Sequence, residues 1–170
     1  MKNTKQIQGR RELNYADFGE MLADIEAMVA KPHAAIGNWT VAENIEHCAM
    51  PIGWAMDGYP EGFSVPWYFK VIGPLFRKSF LTMKPSPPGI KPPTKMAAFF
   101  KPRPDVTTDE AMARLRSAVA RWPETPTIPK NPLVGSLTKA EWERFLCNHA
   151  ALHFSFIVSA SGSEPDQGEA

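Results

Sequence analysis

Three copies of one helix-start signal constrain this chain more than anything else in it. Thr40 is followed three residues later by Glu43, Thr107 by Glu110, and Thr138 by Glu141. In such a capping box the Thr hydroxyl accepts an orphaned backbone N–H while the Glu side chain reaches back to the cap. One T-x-x-E is common by chance. Three, each opening a run of apolar residues at helical spacing, commit the chain to an all-α fold. The boxes predict helices over 40–57, 107–122 and 138–158. Gly58 stops the first of these and Pro123 the second. A fourth helix is predicted over 14–30, capped by Asn14, with Phe18, Met21, Leu22, Ile25 and Val29 on one face and Pro32 beyond its end. No strand pattern is evident. The expected fold is a single four-helix bundle over 13–159, with a flexible N-terminus at 1–12 and a disordered tail at 160–170. The tail's Ser, Gly, Glu and Pro cannot build a core.

Prolines shape the rest. Of 17 in the chain, 10 fall between Gly58 and Val106, so most of that connection cannot be regular helix or central strand. Residues 66–81 are apolar and aromatic, and read as a short helix broken near Gly73 and Pro74. Residues 85–104 read as extended. A second proline-rich link, 123–132, joins the last two helices. The long connection also carries a charge asymmetry: residues 63–104 contain eight Lys or Arg and no Asp or Glu. That is either a solvated, lysine-decorated loop or a basic rim for an anionic ligand or an acidic lipid surface.

The whole chain balances 19 basic against 18 acidic residues, which argues against a nucleic-acid binder. No apolar run is long enough for a transmembrane segment and no signal-peptide pattern is seen, so the expected location is cytoplasmic. Cys48 and Cys147 are too few for a disulfide scaffold and read as buried thiols.

Chemistry concentrates in the histidines. His149 and His153 lie four apart on the last predicted helix, so both imidazoles share one face, a turn apart, in reach of one metal ion. They stand inside the apolar stripe of Trp142, Phe145, Leu152 and Phe156, where unpaired polar rings are costly and a metal would satisfy both. His47 sits mid-helix in the second helix. Alone it reads as a hydrogen-bonded core histidine. With the pair it supplies a third ligand across a helix interface. Three neutral nitrogens leave a coordination position open for water or substrate. His33 lies in a Lys-Pro-His loop and reads as exposed and unrelated. Glu43, one turn before His47, is a possible second-layer partner or base, although capping already accounts for it. Glu46 lies off the ligand face. No P-loop, dinucleotide fingerprint or serine triad signature is present.

The histidine in mid-helix two with an H-x-x-x-H pair on the last helix resembles the DinB-like superfamily of metal-binding bundles. The detail is similar to an uncharacterised branch of it: Gly37 to Thr40 leading to Glu46 and His47, Met56 to Pro60, Pro132 to Gly135, Leu137 to Trp142, and His149 to Phe156. The sequence departs from that branch at Asn131, where a histidine is common. The resemblance implies long crossover connections, one divalent ion such as zinc or nickel, and a homodimer. Characterised relatives include S-transferases that act with low-molecular-weight thiols. Three functions stay open: a metal-dependent transferase on a small, anionic substrate, a metal-dependent hydrolase, and a non-enzymatic metal-binding dimerisation module.

Overall fold

A computed structural model describes residues 2–82, 87–89, 94–128 and 130–160. Among these the chain is mostly helical. Helices α1 (Phe18–Val29), α2 (Val41–Asp57), α3 (Phe69–Thr82), α4 (Thr94–Ala97), α5 (Thr108–Arg121) and α6 (Lys139–Phe154) are joined with short strands β1 (His33–Ala35), β2 (Lys130–Asn131), β3 (Gly135–Ser136) and β4 (Ile157–Ser159).

All three capping boxes form. Thr40, Thr107 and Thr138 each accept the N–H of the Glu three residues on, and each Glu accepts the N–H of its Thr. The first helix starts later than expected, because Asp17 is its cap, not Asn14. The Asp17 carboxylate accepts the Glu20 N–H at 2.9 Å. Gly58 closes α2 at φ +90, a conformation that suits a residue without a Cβ.

α2 packs along α5 and α6, and α1 packs against the same two helices. Their facing sides form one core around Met21, Ile25, Ile45, Ile52, Leu115, Trp142 and Phe154. Each large side chain removed from water there contributes about 1.5–3 kcal/mol. Both cysteines are buried free thiols, as expected.

The strands correct the sequence reading. β1 and β4 pair antiparallel, with His33 opposite Ser159 and Ala35 opposite Ile157. The last helix therefore ends at Phe154 and does not reach Val158. The Ser155 hydroxyl donates to the Leu152 carbonyl at 2.6 Å as the chain turns back. His33 is half-buried in β1 instead of exposed, with Nδ1 2.6 Å from the Lys31 carbonyl. β2 and β3 form a second small ladder, shaped by buried Asn131, whose side-chain oxygen accepts the N–H groups of Leu133 and Val134. Strands of two or three residues are too short to display a period of two.

Residues ahead of α1, where flexibility was expected at 1–12, carry specific contacts. Arg11 donates to both Asp24 carboxylate oxygens at 2.8 and 3.0 Å and to the Ile157 carbonyl at 2.8 Å. The Lys2 N–H donates to the Asn38 side chain at 2.6 Å. Of the tail expected to be disordered, 161–170 lies outside the described residues.

α3 is continuous through Pro74 and is not broken there. A proline removes one helical N–H but keeps a helical φ, and α3 is docked on α6 and β3. At Gly73 the docking is so close that an added Cβ would stand 1.8 Å from the Leu133 carbonyl oxygen. Asn148 of α6 donates to the Leu81 carbonyl near the end of α3 at 3.3 Å. Of the stretch expected to be extended, 85–86 and 90–93 lie outside the described residues, and α4 replaces extended chain at 94–97, anchored by buried Met96. The 123–132 link is tied down by the Ile128 N–H to the Ala55 carbonyl at 2.8 Å and by the Trp142 indole to the Ile128 carbonyl at 3.0 Å. No helix among the described residues is long and apolar enough to cross a membrane.

Candidate metal centre

Packing of α2 against α6 brings the predicted triad together. One ring nitrogen from each of His47, His149 and His153 lies within 4.8 Å of the other two. The ring centroids are 4.4 Å apart for His47 and His153, 4.7 Å for His149 and His153, and 4.9 Å for His47 and His149. Nε2 of His47 stands 3.0 Å from Nε2 of His149. Two nitrogens at about 2.1 Å from one tetrahedral ion lie roughly 3.4 Å apart, so small ring adjustments fit the donor set to a metal.

Tautomers reinforce the fit. His47 Nδ1 is 2.7 Å from the Phe100 carbonyl oxygen. A carbonyl only accepts, so Nδ1 carries the proton and Nε2 presents its lone pair to the centre. A ligating histidine whose second nitrogen donates to a carbonyl is the arrangement that fixes ring orientation at metal sites.

Burial keeps the three rings neutral. It pulls His47 down to about 4, with the Phe100 carbonyl opposing, and His149 down to about 3, helped by the nearby His47. His153 is held well below its ordinary value by burial first, then by His47, His149 and Arg10. Neutral imidazoles are the metal-binding form. His47 is buried, whereas His149 and His153 each keep part of their surface exposed.

The sign of the resulting pH dependence follows. A histidine with a lowered folded pKa binds fewer protons folded than unfolded, so stability is present above about pH 6.5 and is lost as pH falls. In metal-free protein, urea unfolding should weaken between about pH 6.5 and 4.5, by about 1.4 kcal/mol per pH unit for each ring still neutral in the fold. Glu110 is held low by the Thr107 N–H, Glu141 by the Thr138 N–H and Asp57 by Arg121. Their contributions are lost only as pH falls below ordinary carboxylate values. A flat profile in that window would show that the rings protonate freely.

Residues that sequence reasoning passed over complete the site. Trp39, just ahead of the α2 cap, stacks on His153 at 5.3 Å and 15° and lies 4.6 Å from His47. Phe100 comes from the long connection, whose Phe63, Phe99 and Phe100 cluster with Trp54 and Tyr59 of α2 and its end. Glu46 is off the ligand face, as expected, but it is not idle. Its carboxylate, 2% exposed, accepts from Arg103 Nε at 2.9 Å and Arg114 Nη1 at 2.8 Å. This pins the connection three residues beyond Phe100. Arg10 sits over the Phe156 ring at 4.5 Å, with its charge felt at His153. The Glu43 carboxylate hydrogen-bonds the Thr40 N–H at 2.7 Å, with no hydrogen bond to a histidine among the described residues. An apolar clue for Phe100 existed in the Phe99–Phe100 pair. Nothing local revealed its carbonyl.

No curated protein and no solved structure matches the chain. A family model described as "Protein of unknown function (DUF1569)" matches residues 7–160, nearly the full length. A mostly helical chain with three histidines grouped where they can hold a metal thus belongs to the DUF1569 family.

Proposed function

We propose that this chain is a DinB-like, four-helix-bundle metalloenzyme that holds one divalent ion, zinc or nickel, on His47, His149 and His153 and attaches a low-molecular-weight thiol to an electrophilic carbon of a small substrate, the new sulfur–carbon bond replacing the bond to a leaving group that departs with the thiol proton. The observation that carries the reading is the convergence of three imidazoles, with His47 Nδ1 2.7 Å from the Phe100 carbonyl oxygen. The mutual packing of α1, α2, α5 and α6 supports the bundle. A bound divalent ion lowers the pKa of a thiol and so favours the nucleophilic thiolate at neutral pH. The chain's own residues do the rest. Phe100 fixes the tautomer of His47, Trp39 covers the His153 ring and excludes water, and Arg10 offers positive charge to an anionic group of the thiol or substrate.

Hydrolysis is the weaker alternative, because it asks for a positioned carboxylate base. Glu43 is spent on its cap and Glu46 on two arginines. The test uses cobalt(II)-loaded protein titrated with 2-mercaptoethanol. A sulfur-to-cobalt charge-transfer band that saturates supports thiol activation. An unchanged spectrum at millimolar thiol would reduce the centre to a structural clamp in a dimerisation module.

A further inference from the structure

α3 turns its apolar face the wrong way for a soluble helix. Its inner side is Gly73 against Leu133 and partly buried Phe80 and Leu81. Its outer side presents Trp67 (75% exposed), Val71 (61%) and Leu75 (78%), with Tyr68 and Ile72 beside them. Val71 and Leu75 fall one turn apart on α3, and Trp67 lies in the turn that leads into it. Contiguous exposed aromatic and aliphatic surface marks an interaction site.

Charge identifies the occupant. Residues 63–104 carry eight basic and no acidic residues, so the remainder of the chain holds 11 basic (19 less 8) and all 18 acidic residues. The segment is +8 and the rest −7. Arg77 and Arg103 are engaged by Glu141 and Glu46, and the other six are lysines. Exposed Lys78 stands one turn after Leu75 on the outer face. A second copy seated face to face would set Lys78 against a face of the same sign. An apolar strip with Trp and Tyr at one end and exposed Lys78 on the same face, in a segment whose sequence holds only basic charges, matches an interfacial helix on an anionic bilayer.

We propose that the α3 face docks this protein peripherally on anionic lipid surfaces, with Trp67, Val71 and Leu75 entering the headgroup boundary and Lys78 meeting the lipid phosphates. The full chain is co-sedimented at low salt with phosphatidylcholine vesicles and with vesicles one-third phosphatidylglycerol. Expected is binding to the anionic vesicles alone, reversed by high salt. The exposed-site double substitution Val71→Ser/Leu75→Ser should weaken it at least tenfold or so, and Lys78→Glu about fivefold or more. Circular dichroism checks the fold of each. Should the double variant unfold, Trp67→Ser and Lys78→Glu carry the test. No anionic-vesicle binding, or equal binding by folded variants, overturns the proposal. So does sedimentation velocity showing a dimer that the same substitutions dissolve without any vesicle association, which would assign the face to a second copy.

Discussion

Replacing His149 with alanine should cost this protein its metal. Four-ligand zinc sites bind with about 10–16 kcal/mol at neutral pH, so one imidazole of such a set is worth roughly 3 kcal/mol, a loss of more than a hundredfold in affinity. His47→Ala should do the same or worse, since His47 bridges α2 to the pair on α6 at 3.0 Å. His33→Ala, in β1 and away from the cluster, should leave affinity unchanged. Isothermal titration with zinc after chelation reads all three. Wild-type affinity in both ligand variants would show that the imidazoles gather for another reason. His149→Ala also removes the 3.0 Å contact to His47 Nε2, so circular dichroism checks its metal-free fold before the titration.

The second large effect lies at Glu46. Its carboxylate is 2% exposed, while Arg103 and Arg114, its partners, have side chains about half open to solvent. Removing the acid leaves two arginines that water can solvate. Removing both arginines leaves a buried charge with nothing to balance it. Arg103→Ala with Arg114→Ala should therefore destabilise by about 3 kcal/mol, the low end for a broken buried pair because water reaches the arginine sites. For a chain this size that is on the order of ten degrees in Tm. The deficit has a sign. An unpaired buried carboxyl has a raised folded pKa, so the variant should recover ground relative to wild type as pH falls toward 5. Calorimetry at pH 7.5 and 5 measures both. A Tm within two or so degrees of wild type at pH 7.5 would mean that Glu46 finds other solvation. Metal affinity should fall about tenfold in the same variant, since Arg103 holds the strand of chain that supplies the Phe100 carbonyl.

How legible the molecule was depended on the range of each interaction. Capping boxes are local, so the starts of α2, α5 and α6 could be read to the residue. The histidine pair is local too, four residues apart on one helix, and its partner His47 followed from the need to satisfy buried rings. Asp17 displaced Asn14 as a cap because either residue can serve, and the choice is made by contact with α6, where Glu143 accepts the Phe18 N–H. The pairing of β1 with β4 joins segments more than a hundred residues apart and leaves no pattern within either. Continuity of α3 through Pro74 depends on docking against β3 and α6, which no spacing of residues 66–81 encodes. Glu46 read as off the ligand face, correctly, but its arginine partners lie 57 and 68 residues away.

One contact at the centre has an unusual genetic property. The group that sets the tautomer of His47 is the peptide oxygen of residue 100, and every amino acid carries that atom. Point substitution at 100 changes the ring beside the site but leaves the acceptor in place. Alanine at position 100 would pass over it in silence. A change in chain length between 96 and 103 would move that oxygen out of reach, and loss of the Arg103 anchor would loosen it. A one-residue deletion there should impair metal binding where no single replacement of Phe100 does.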